Sequence, residues 1–90
     1  MAVLSEEDLT IIRESLNREL NVLKAKIRVV EVEIRDFEKK YEMSSEEFLE
    51  KFDKGELGDS QDFFEWWGLL KGLERLKKEI ERVRRVLSYC

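Results

Sequence analysis

The chain has ninety residues, 42% of them charged and 42% apolar, with no proline and four glycines, a profile of long helices with mixed-sign surfaces that argues against disorder. Its formal net charge of −4 hides an uneven distribution: nine acids and eight bases in residues 1–41, nine acids against Lys51 and Lys54 in 42–65, and seven bases against three acids in 66–90. The aromatic cluster falls in the acidic middle rather than in a basic stripe, which disfavours direct contact with DNA or RNA.

The opening residues MAVLSEED carry neither a basic leader nor an apolar run, and no later stretch approaches the length needed to span a bilayer, so a cytoplasmic protein with no membrane contact is expected. Ser5-Glu-Glu-Asp8 then reads as a helix start, with a hydroxyl at the N-cap and a carboxylate three positions on. From there apolar residues recur at Leu9, Ile12, Leu16, Leu20, Leu23, Ile27, Val30, Ile34, Phe37 and Tyr41. Those spacings of three and four hold one face of a helix predicted over about 5–41. The alternation is strict from Leu20 onward, as in a coiled-coil seam. Two consecutive fours between Ile12 and Leu20 interrupt it, a stutter that marks a change of packing partner near the N-terminus.

The same helix carries a second stripe, Ile11, Val22, Ala25, Val29 and Val32, roughly 140–180° from the first at 100° per residue. Four of the five fall at heptad spacing, so this face is expected to meet a second molecule.

Met43-Ser44-Ser45-Glu46-Glu47-Phe48 combines an N-cap serine, an N3 glutamate and a Met43–Phe48 staple, predicting a short helix over about 44–54 that Gly55 ends. Asp59 or Ser60 caps a third helix over about 60–88, whose seam is Trp66, Leu69, Leu73, Leu76, Ile80, Val83 and Leu87. Phe63, Phe64, Trp66, Trp67, Leu69 and Leu70 cover nearly every direction at its start, so the short helix, Phe37 and Tyr41 are expected to enclose that end. Folding back antiparallel sets Tyr41 beside Trp66 and Leu87 beside Leu20. Residues Leu4 to Leu16 then project beyond the third helix with an apolar stripe nothing else covers. The fold expected is all-α: one domain over 1–90, an antiparallel hairpin of two long helices joined by a short one, forming a multi-helix bundle on dimerisation. A core this small must be efficient or shared.

Chemistry is sparse. The chain has no histidine and a single cysteine, Cys90, so serine–histidine and cysteine–histidine catalysis are out, and the cysteine fits a reducing compartment. No phosphate-binding glycine loop occurs; Gly68 and Gly72 fall inside a helix, where each costs about 1 kcal/mol relative to alanine. The acids of Glu46-Glu47-Phe48-Leu49-Glu50 and Glu56-Leu57-Gly58-Asp59 are similar to the magnesium-binding motifs of all-α nucleoside-triphosphate pyrophosphohydrolases. In that family both motifs lie on helices, further apart; here Gly58 breaks the second, and capping accounts for Glu46, Glu47 and Asp59. Asp53, Glu56, Asp59 and Asp62 lack the spacing of a calcium loop. No enzyme activity, cofactor, metal or small-molecule substrate is predicted.

The segment from Tyr41 to Glu81, with its MSSEEF, GELGD and DFFEW runs, resembles a family of small archaeal and bacterial proteins regarded as the antitoxin half of two-gene toxin–antitoxin modules. The match spans about half the chain, and Trp67 departs from it where a smaller residue is expected. The resemblance implies a cognate toxin as partner. The expected contact residues come from the apolar stripes instead: Leu9, Ile11, Ile12, Leu16, Val22, Ala25, Val29 and Val32. Together with the acidic middle they point to a protein-binding module that also forms a homodimer, and the resemblance implies that the module is antitoxin-like; a homo-oligomeric coiled-coil scaffold is the alternative.

Overall fold

The computed structural model describes residues 3–90 and folds into three helices, α1 (Glu6–Tyr41), α2 (Ser45–Asp53) and α3 (Gln61–Leu87). Each starts on a serine: Ser5 and Ser44 as expected, and Ser60 of the two caps expected for α3. At α1 the box is complete: Ser5 Oγ accepts from the Asp8 N–H at 3.1 Å while Asp8 accepts from the Ser5 N–H at 2.9 Å. Ser60 Oγ accepts from the Asp62 N–H at the start of α3.

At α2 only half of the expected box forms, and a neighbouring helix supplies the rest. Ser44 Oγ accepts from the Glu47 N–H at 3.1 Å, but the Glu47 carboxylate pairs with Lys51 one turn on. The Ser45 N–H and hydroxyl both donate to Glu38 of α1, at 2.9 Å each. One orphan amide of the α2 start is thus satisfied by a tertiary contact, which fixes α2 against α1.

The helix ends differ in how they turn. Gly55 takes φ +70°, and its N–H bonds to Phe52 O while the Glu56 N–H bonds to Lys51 O, the paired bonds of a Schellman ending. Glu42 makes the equivalent turn after α1 with φ 50° and ψ 47°, and the Met43 N–H reaches Glu38 O at 3.1 Å. A side chain there bears a strain of about 1 kcal/mol that glycine would avoid.

The end of α1 meets the start of α3, so the two long helices run antiparallel: Tyr41 packs on Phe63 and Trp66, and further along Val30 and Leu76 line one hollow. Buried apolar side chains among the described residues are few: Leu23 and Ile34 of α1, Phe48 of α2, Trp66 and Ile80 of α3. Four of these five belong to the two seams read from spacing, and the other seam residues are half-buried. Trp66 is the centre. Its ring stacks on Phe48 with centroids 4.0 Å apart and planes within 8°, and Phe37 and Tyr41 lie at 5.8 and 6.1 Å. Its indole N–H donates to Ser45 Oγ at 3.1 Å, so a hydrogen-bond chain from Trp66 through Ser45 to Glu38 ties all three helices together.

A second tie closes the same corner. Lys40 at 2.6 Å and the Tyr41 hydroxyl both donate to Asp62 Oδ2. These two hydrogen bonds hold the Asp62 carboxyl below the usual aspartate range, and the same contacts raise Lys40 and Tyr41 above theirs. With 36 residues in α1 against 27 in α3, α1 is about 14 Å longer than its partner, and its N-terminal turns extend past the end of α3. The molecule measures 58 × 23 × 18 Å.

Candidate partner-binding surface

The second stripe of α1 is open. Ile11, Val22, Val29 and Val32 are 62%, 48%, 60% and 49% exposed, and Ala25 is exposed among them. The cause is geometric: α3 packs on the seam, and the stripe lies more than a third of a turn away from it. Leu9, Ile12 and Leu16 differ in degree from the bare stripe anticipated. They are half-buried, although Leu4 is 55% and Val3 86% exposed just before them. The seam's continuation is thus more covered than the valine face.

Beside the valine face runs a groove between α1 and α3 that spacing did not foretell. One hollow of about 500 Å³ is lined by Val22, Ala25, Lys26, Val29, Val30 and Leu76. A second, of about 590 Å³, shares Val30 and continues past Phe37 and Leu69 to Gly68 and Gly72, with Glu33, Asp36, Lys40 and Glu65 at its edge. The two glycines leave this side of α3 without a wall: a Cβ at either would find no atom within 4 Å. Neither is therefore required by packing inside the chain. The only hint in the sequence was their cost to a helix.

The aromatic end is enclosed on fewer sides than the spread of its side chains predicts. Helix α2 covers one flank through Phe52, whose ring meets Phe64 edge-on at 5.8 Å and Trp67 at 6.3 Å. Phe64 and Trp67 nonetheless stay exposed, and Lys71 lies over the Trp67 ring at 5.8 Å. The opposite flank is the glycine groove.

The acidic middle folds to this same end. Glu42, Glu46, Asp53, Glu56, Asp59 and Glu65 are exposed around it, whereas Glu47 and Glu50 pair along α2 with Lys51 and Lys54. Glu56 to Asp59 lie in the loop before α3, outside any helix. Ile12 and the acidic corner sit at opposite ends of α1, roughly 44 Å apart, so the structure separates two features that the sequence reading had joined. The acids local to the apolar tip are Glu6, Glu7 and Asp8 in the first turn, where Asp8 is held below its usual range by the Ser5 amide and hydroxyl. No helix among the described residues is long and apolar enough to cross a membrane.

Comparison with protein-family models, with curated proteins and with solved structures returned no match.

Proposed function

We propose that this chain is a non-catalytic protein-binding module, an antitoxin-like component that binds and neutralises a cognate toxin in the cytoplasm. The observation that carries the reading is the apolar surface at the N-terminal end of α1, where Leu4 and Ile11 are exposed beside the half-buried Leu9, Ile12 and Leu16. An apolar strip beside the acids of the first helical turn suits a partner with a greasy cleft and a basic rim. The MSSEEF to DFFEW resemblance implies a cognate toxin as that partner. Caps and aromatic packing explain its shared residues as folding elements, so the contacts are assigned to α1.

Co-expression with the neighbouring gene product tests it. A stable complex and loss of toxicity are expected, and Ile11→Asp with Ile12→Asp should abolish both while leaving the helical signal intact. A toxin that stays fully active beside excess protein removes this reading.

The exposure of Val22, Ala25, Val29 and Val32 at heptad spacing favours a second reading, a homo-oligomeric scaffold, which is compatible with the first because it uses a different face of the same helix.

A further inference from the structure

We propose that the valine face of α1 docks on the same face of a second copy, antiparallel, about a two-fold axis level with Ile27. The inference deepens the self-association reading and does not depend on a toxin.

It starts from register. Val22, Ala25, Val29 and Val32 alternate by three and four, the spacing of facing core positions in a two-helix seam. With the axis at Ile27, Val22 of one copy lies opposite Val32 of the other and Ala25 opposite Val29, so every apolar residue meets an apolar residue. Extending the same register one step puts Arg18 opposite Asp36. Both are exposed, and neither forms an ion pair among the described residues.

The flanks agree on the groove side. Helical side chains lean toward their own N-terminus, so in an antiparallel pair Lys26 of one copy and Glu33 of the other lean toward each other. Both line the groove and are exposed. Arg28, on the other flank, is the residue that meets its own image. A parallel pair in register would instead set Arg18 on Arg18 and Asp36 on Asp36, so charge selects the antiparallel arrangement. A C2 contact must be self-complementary, and this face is, Arg28 apart.

The apolar section is short. From Arg18 to Asp36 is about 27 Å of helix, below the span of a standard-size interface, so a dissociation constant in the range of roughly ten to a few hundred micromolar is expected.

Sedimentation equilibrium on the full chain, up to about 1 mM, should show a monomer–dimer equilibrium in that range. Arg18→Asp or Asp36→Arg alone should weaken it about tenfold, and the double reversal should recover most of the loss. In a Cys90→Ser background, Val22→Cys and Val32→Cys should form a disulfide when mixed and not when incubated separately. A chain that stays monomeric throughout assigns the face to another protein and overturns the proposal. So does Val22→Cys cross-linking to itself, or a double reversal no better than either single one. Circular dichroism and the monomer's unfolding midpoint confirm that the variants fold, since all four positions are on the surface.

Discussion

Phe37 and Val29 lie about 12 Å apart along α1, and their surroundings differ although both border the groove. Phe37 packs on Trp66 within a corner where three helices meet, polar groups are paired and aromatic rings stack. Val29 stands 60% exposed above an open groove. The same helix therefore supplies a closed end that holds the fold and an open flank that the fold does not use. The buried side chains run along the seam, from Phe48 and Trp66 at the corner to Leu23 and Ile80 further along the hairpin, so the fold is held on one face of α1 and the flank away from α3 remains available for contact.

The largest test of that division compares truncations at the two places. Trp66→Ala removes a fully buried ring and leaves Ser45 Oγ without its donor, so a loss of about 3–5 kcal/mol is expected, enough to unfold a domain of this size. Val29→Ala should change stability by less than about 0.5 kcal/mol. Urea titration at low protein concentration reads both. Similar losses at the two sites would mean that the valine flank is as much a part of the fold as the corner and that the division is wrong.

Next comes the hydrogen-bond chain within the corner. Ser45→Ala keeps the volume but strands the indole N–H of Trp66 and removes a donor to Glu38, with an expected loss of about 1–3 kcal/mol. If Ser45→Ala unfolds at the wild-type urea midpoint, the chain from Trp66 to Glu38 contributes nothing and stacking alone closes the corner.

The open flank should respond in the opposite direction. Gly68→Ala and Gly72→Ala meet no atom within 4 Å, so each should stabilise the monomer by about 0.5–1 kcal/mol through helix propensity. Glu42→Gly, which relieves the left-handed ending of α1, should gain about as much. Destabilisation by either alanine would show that the groove is closed in solution, contrary to the open flank described.

How much of this was legible beforehand follows from how local each signal is. The three N-cap serines, the Gly55 turn and the two seams are written within one or two helical turns, and the structure has them all. Glu42 as the left-handed residue was not readable, because neither glycine nor asparagine marks the position; tertiary packing of the corner imposes it. The capping of α2 by Glu38 was missed for a similar reason, since the partner lies on another helix seven residues back. Ile11 and the valine face were visible in the spacing, and their exposure depends only on where α3 packs. The groove required knowing which side of α3 faces outward at Gly68 and Gly72, which two helical patterns alone do not settle. The distance between apolar tip and acidic corner required only the helix length, and a sequence reading that treats charge by segment overlooks it.

The smallest expected effect separates the two ends by pH. Asp62 and Asp8 both have carboxyls held below the usual aspartate range, Asp62 by Lys40 and Tyr41 at the closed corner and Asp8 by Ser5 at the free tip. For a depressed acid the stabilisation is complete above the unfolded-state value, about 3.9, and is lost as pH falls through the lower folded-state value. The stability gap between wild type and Asp62→Asn should therefore be constant between about pH 5 and pH 9, below the range in which Tyr41 and Lys40 titrate, and narrow below about pH 4. Solvent screening keeps the gap small, since the Lys40 partner is largely exposed. Asp62 ties α1 to α3, so its effect should appear in global unfolding. Asp8 ties only the first turn of one helix, so Asp8→Asn should alter amide exchange in residues 6–10 over the same pH range and leave the urea midpoint unchanged. A shift of the global midpoint by Asp8→Asn as large as that of Asp62→Asn would show the projecting tip to be part of the cooperative unit, and a surface held ready for a partner would then have to be sought elsewhere on the hairpin.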